Sequence, residues 1–192
     1  ELARRDCTPW VMLVGADDRV DRFRHPLPTA RPCRRKLMLA TCAERGGLIS
    51  ACTRIAKFVK VSGELADKHR AVCTVDTSLI ASTRPGATLG ELFDVAREAY
   101  SAVGFPDEWR LHHQGGSCGY QPRDEKAAPG AKTEALAGQT FAWNPSITGT
   151  KCEDTIVCLE SGPELLPHKT DWPTVQAEWR GTTLDRPAIL ER

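Results

Sequence analysis

KLMLATCAERGGLISACTRIAKF, residues 36–58, decides the fold. Its halves, KLMLATCAE (36–44) and LISACTRIAKFVKV (48–61, running on past the quoted stretch), are apolar and rich in β-branched and small residues. Arg45-Gly46-Gly47 between them supplies a turn. The pattern predicts two strands paired back to back as a hairpin. Upstream, WVMLVGA (10–16) is another strand candidate, and DDRVDRFRHPLPTARP (17–32) is charged and proline-rich, a loop or irregular edge.

Downstream the period changes. Between Glu64 and Ser82, Leu65, Val72, Val75 and Leu79 recur at helical spacing, until Pro85-Gly86 interrupts them. Thr88-Leu89-Gly90-Glu91 has the form of a capping box, with Thr88 as N-cap and Glu91 at the third helical position. Leu92, Val95, Ala96, Ala99, Tyr100 and Val103 then supply an apolar face, and Gly104 a stop. Strands and loops return with the glycine-rich HHQGGSCGY (112–120), the polar loop PRDEKAAPGAKTEAL (122–136), and two strands in TFAWNPSI (140–147) and EDTIVCLESG (153–162). The tail beyond Pro163 holds Pro167, Pro173 and Pro187 and reads as irregular. Strands, two helices, then strands make an α+β pattern.

Composition narrows the function. The 192 residues suit one domain. Lys and Arg number 26 against 25 Asp and Glu, a net charge of +1, which lacks the basic footprint of a nucleic-acid binder. No apolar run approaches the ~20 residues of a membrane span. The charged opening ELARRD is followed by no signal-peptide core. That opening reads as the end of a helix without an initiator Met, so the chain is expected to be a fragment of a longer protein. The eight cysteines form no CxxC pair, and Cys42 and Cys158 sit in apolar runs. They read as mostly buried, reduced thiols of a cytoplasmic protein.

Three segments, in order, resemble the pita-bread superfamily of methionine aminopeptidases, aminopeptidase P, prolidase and creatinase. KLMLATCAERGGLISACTRIAKF (36–58) is similar to the family's VLxDxGAxxxGYxxDxTRT hairpin through the Gly47 turn and the Thr53-Arg54 pair. HHQGGSCG (112–119) resembles HxxGHxxG, and GQTFAWNPSITGTKCEDTIVCLESGPELL (138–166) resembles GMxFxIEPGxxxxxGxxxEDTVLVTxxGxExLT. HPLPT (25–29) sits where the family has a His before its first metal-bearing strand, and PGATLGELF (85–93) matches PGxTxxEL. The resemblance covers residues 10–167. It implies a curved antiparallel sheet with helices packed on its outer face. It also implies one C-terminal domain over 1–192 that lacks the family's first helical pair.

The family's metallopeptidases bind two divalent metals through two Asp, one His and two Glu. Carried over by position, the first Asp falls on Ala40, the second on Ala51, the His on Gly116 and the first Glu on Asn144. Only the last Glu is kept, as Glu153. No Asp or Glu lies between Lys36 and Glu44 or between Gly47 and Lys60 to repair the set. Two clustered dications need several anionic oxygens, so the expectation is no metal and no cofactor.

Creatinase implies that this fold can cleave a C–N bond without metal. His25 takes the position of its acid–base His, and imidazole titrates in the right range. His112 matches the first His of HxxGH. If 112–113 is a strand, only one of His112 and His113 enters the pocket, and His112 is favoured. The catalytic candidates are therefore His25, His112 and Glu153; Arg54, His113, Trp143 and Asn144 are candidates for substrate binding. Arg54 has a structural alternative as a partner of Glu153, and Trp143 as a core residue. Cys118 with His112 is a weaker nucleophile pair, and Ser117 is weaker still. The first reading is a metal-independent creatinase-like hydrolase of a small amide, amidine or peptide-like compound. A non-catalytic module binding peptide or protein is the second. An Xaa-Pro-type metallopeptidase is the third, if the carried-over ligand register is off or if metal is held by His112, His113 and Cys118. The implied partner is a small-molecule or peptide substrate, with no nucleic acid and no membrane; a homodimer is left open.

Overall fold

The computed structural model describes residues 1–166 and 171–192. The decisive stretch forms β2 (Lys36–Arg45) and β3 (Leu48–Lys57), paired antiparallel with Arg45 opposite Leu48. Gly46 and Gly47 fill the turn with φ of 61° and 82°, the conformation that a two-residue hairpin turn requires. Alternation buries Met38, Ala40 and Cys42 of β2 and Ile49, Ala51 and Ile55 of β3. β1 (Thr8–Ala16) pairs with the other edge of β2. The loop that follows contains one short helix, α1 (Asp18–Arg22).

A five-stranded antiparallel sheet comes from the second half of the chain. It comprises β4 (Gly115–Cys118), β5 (Glu125–Lys126), β6 (Thr140–Trp143), β9 (Asp154–Leu159) and β10 (Gly162–Leu165), in the order β10-β9-β6-β4-β5. A small hairpin, β7 (Ser146–Ile147) and β8 (Thr150–Lys151), lies between β6 and β9 in the chain. The two sheets are stitched along β3. Ile49 N donates to Gly119 O at 2.8 Å, Ala51 N to Thr155 Oγ1 at 2.8 Å and Thr53 N to Glu153 O at 3.0 Å.

The helices fall where periodicity predicts them, as α2 (Gly63–Ser82) and α3 (Leu89–Ala102). Val72, Val75, Leu79, Leu92, Ala96 and Tyr100 share one core with Phe141, Ile147 and Ile156 of the strands. The capping box is reciprocal: Glu91 N donates to Thr88 Oγ1 at 3.2 Å, and Thr88 N donates to the Glu91 carboxylate at 2.8 Å. Thr88→Ala is expected to cost about 1 kcal/mol. In a chain of this size that lowers the midpoint of a thermal melt by about 2–4 °C.

The tail is not irregular. β11 (Thr174–Trp179) and β12 (Thr182–Pro187) form an antiparallel hairpin, and β13 (Leu190–Glu191) runs parallel to β3. The prolines mislead because Pro173 precedes β11 and Pro187 ends β12, where a missing N–H interrupts no central ladder. Pro167 lies outside the described residues. The hairpin is tied down by Arg186, which reaches Asp76 of α2 at 2.6 Å and Asp154 of β9 at 3.0 Å. All eight cysteines are free, and Cys42, Cys73, Cys118, Cys152 and Cys158 are buried. Among the described residues, no helix is long and apolar enough to cross a membrane.

Candidate functional site

A cavity of about 90 Å³ opens where the two sheets meet, lined among others by His25, Ala40, His113, Arg123, Asn144, Lys151 and Glu153. His25 comes from the loop after α1. That loop is held on both sides of the histidine: Arg24 pairs with Glu108 and donates to Thr148 Oγ1 at 2.9 Å, and Val14 N donates to Pro26 O at 2.9 Å. Gly15 permits the second contact, because a Cβ there would lie 2.8 Å from Pro26 Cγ.

His112 and His113 are not on a strand; β4 begins only at Gly115. Of the two, His113 lines the cavity and His112, the one favoured from sequence, is buried and does not. Their rings stack at 4.5 Å and 21°, and both face His25, with centroids at 4.6 Å and 5.8 Å. Buried Gln114 fixes this turn by donating to His112 O at 2.5 Å while accepting from Tyr100 OH at 2.9 Å. A ligand nitrogen from each of the three imidazoles lies within 4.8 Å of the others. Gly115 N donates to His113 Nδ1 at 3.2 Å, which puts the proton of neutral His113 on Nε2.

His112 Nε2 is 2.9 Å from His25 Nε2 and 3.2 Å from Lys151 Nζ. Burial, helped by Lys151, holds His112 far below the ordinary histidine range and lowers His25. Burial and Arg123 pull His113 down to about 3. The same burial lowers Lys151 to about 8, although Glu153 favours its charged form. Glu153 accepts from Thr53 Oγ1 at 2.5 Å and from Arg123 Nη2 at 2.8 Å.

Some candidates lie elsewhere. Trp143 does not meet the cavity: it is fully buried, stacks on Phe141 and donates to Thr83 Oγ1 at 3.0 Å. Arg54 pairs with Asp154 at 2.8 Å, donates to the carbonyls of Thr53 and Glu153, and does not line this cavity. Burial raises the Cys118 thiol, which meets Thr140 Oγ1 and Ile49 O, so no thiolate–imidazole pair with His112 forms. Ser117 Oγ accepts from Glu125 N at 3.2 Å.

Two cavity residues escape sequence reasoning. Lys151 stands two positions before Glu153 in TKCED, and an i, i+2 relation in extended chain would have placed it on the same face. Arg123 lies in the polar loop and carries no such signal.

The comparisons agree with the fold. Residues 5–160 match metallopeptidase family M24. An uncharacterized peptidase of Staphylococcus aureus (strain MW2) is 29% identical over 125 residues, 62% of this chain and 35% of the relative. The X-Pro aminopeptidase of Thermotoga maritima superposes with a TM-score of 0.76 at 17% identity, over 94% of this chain and 49% of that one. The prolidase of Pyrococcus furiosus gives a TM-score of 0.74 at 18% identity, over 84% and 50%. The chain thus spans about a third of the curated relative and about half of these solved structures. With the fold, the order of its motifs and a match over most of its length in agreement, the chain belongs to metallopeptidase family M24.

Proposed function

We propose that this domain hydrolyses the C–N bond of a small amide, amidine or peptide-like compound with its own side chains, without a two-metal centre. The carrying observation is the imidazole cluster of His25, His112 and His113 at a cavity where Glu153, the only carboxylate among the described lining residues, is already ion-paired.

The donor set does not fit two dications. Ala40 and Asn144 line the cavity where the resemblance implies carboxylates, and Ala51 is a buried methyl. Gly116 has no room for a side chain: a Cβ would lie 1.9 Å from Glu125 O. Glu153 is neutralised by Arg123, and one carboxylate does not offset two divalent charges. The three histidines alone are a poor substitute, because His113 spends the lone pair of Nδ1 on Gly115 N–H and carries a proton on Nε2.

Neutral imidazole is the form a general base needs. His25, the exposed member, takes a proton from water as the water oxygen bonds to the substrate's carbonyl or amidine carbon. It returns that proton to the departing nitrogen as the C–N bond breaks. His112 orients His25 through the 2.9 Å contact. Glu153 acts through Arg123, which it holds at the cavity wall. The free thiols suit a reducing cytoplasm.

The test is elemental mass spectrometry of protein dialysed against Mn, Co and Zn, together with amine release from small amides in the presence of EDTA. The expected result is near-zero metal and turnover that survives the chelator. His25→Ala should lower that turnover by about tenfold or more. Tightly bound metal, or turnover abolished by EDTA, would return the chain to the two-metal peptidases. Peptide binding without turnover would make it a binding module.

A further inference from the structure

Lys151 is 3% exposed and lines the cavity, yet among the described residues no carboxylate pairs with it. The nearest candidate, Glu153, is occupied by Arg123 at 2.8 Å and Thr53 at 2.5 Å. A buried ammonium costs several kcal/mol unless an anion or a full set of acceptors compensates it. His112 is an incomplete answer. Its Nε2 holds either one lone pair or one proton, and it faces both Lys151 at 3.2 Å and His25 at 2.9 Å. One of those two contacts is unsatisfied in every protonation state.

A second group on the wall is also unsatisfied. Asn144 is 4% exposed, and its Oδ1 has no hydrogen-bond partner. An amide end can present either oxygen or NH2 by turning over, so it can donate to a guest. Cations outnumber anions around the cavity: Arg123, Lys126 and Lys151 act on His25 and His113, and Arg123 and Arg24 on Lys151, against Glu153. The cavity, at about 90 Å³, has room for a headgroup of a few atoms.

We infer that Lys151 is the seat of a small carboxylate, held between its ammonium and the free end of Asn144, so that the cavity takes anionic ligands and refuses amidinium and guanidinium cations. As a statement about substrate, this rests on the hydrolase reading and removes amidines from it; as a statement about binding, it needs no turnover. A bound carboxylate takes the hydrogens of Lys151 and leaves His112 Nε2 to His25 alone, which resolves the competition for that nitrogen.

The experiment is a titration of the 192-residue chain followed by heteronuclear NMR at constant ionic strength. The probes are acetate, its neutral isostere acetamide, and guanidinium. Acetate is expected to saturate shifts of the cavity residues, with acetamide and guanidinium leaving them in place. Lys151→Met should weaken acetate by about 10–100-fold, the worth of a hydrogen bond to a charged group, and Lys151→Arg should restore part of it. Acetamide or guanidinium binding as well as acetate, or acetate binding unchanged in Lys151→Met, overturns the inference. If Lys151→Met does not fold, the contest between acetate and acetamide on the wild-type chain decides, with Asn144→Ala as second variant. Acetate binding without any amide turnover sinks the hydrolase reading and leaves this one standing. Turnover of an amidine without acetate binding does the reverse.

Discussion

Arg186→Met is expected to destabilise the fold by about 3–5 kcal/mol, the cost of leaving buried carboxylates uncompensated. Arg186 is 1% exposed and donates Nε to Asp76 at 2.6 Å and Nη2 to Asp154 at 3.0 Å. Burial works against its charge, but the neighbouring carboxylates more than offset that and hold its pKa above the ordinary arginine value. Without the guanidinium, Asp76 has no cation among the described residues, while Asp154 keeps Arg54 at 2.8 Å. The loss should appear in urea denaturation at pH 7, and as a fall of about 6–20 °C in the thermal midpoint. Arg186→Lys should recover only part, since one ammonium does not reproduce the fork that spans two acids. Adding Asp76→Leu to Arg186→Met should recover more, because it removes the stranded charge. A cost below about 1 kcal/mol would mean that water reaches both acids. The pair also matters for the cavity: Asp154 adjoins Glu153, so the tail hairpin helps to place the carboxylate that holds Arg123.

How far this site could be read from sequence depends on which residues carry a local signal. The 36–58 hairpin was legible because both halves are apolar and rich in β-branched and small residues and the turn between them is glycine-rich; these are local properties. So was α3, whose cap lies within four residues. His25, His112, His113, Asn144 and Glu153 were legible through the order of motifs, and the fold brings them to one junction. Lys151 and Arg123 were not, because a cation in a polar segment reads as a solvated face; in the fold Lys151 is buried on β8 and Arg123, from the loop between β4 and β5, pairs with Glu153. Arg54 and Trp143 fail in the opposite direction. Each lies in a motif that lines the site, but one turns to Asp154 and the other into the core. In a strand, neighbours in sequence face opposite ways, so motif membership does not assign a face. The tail failed because proline was read as a breaker, although Pro187 lies at a strand end.

The second large effect is on pH. Stability is expected to fall steeply between pH 7 and pH 5, and the histidine cluster should account for much of the fall. In the unfolded chain His112 and His113 titrate near 6.5. In the folded chain burial, Lys151 and Arg123 keep both neutral to far lower pH, to about 3 for His113. Below pH 6.5 the unfolded state therefore binds protons that the native state does not. The free energy of unfolding then drops by about 1.4 kcal/mol per pH unit for each such group. The loss begins near 6.5 and continues down to the folded pKa; from pH 7 to pH 5 the two together contribute about 2–4 kcal/mol. Lys151 acts elsewhere, between its folded value of about 8 and the unfolded lysine range. Two groups act in the opposite sense within the window. Burial pushes the Asp76 carboxyl up to about 6 despite Arg186, and His69 is raised: Cys73 and the Pro187 carbonyl outweigh its burial. Their contributions are common to wild type and variant and cancel in the difference. The measurement is urea denaturation at half-unit pH steps for wild type and for His112→Gln/His113→Asn. Wild type should lose about 2–4 kcal/mol more than the variant between pH 7 and pH 5. Parallel curves would mean that both imidazoles protonate freely in the folded state. Saturating acetate offers an internal check, because a carboxylate beside Lys151 favours protonated His112 and should flatten the wild-type slope while leaving the variant's unchanged.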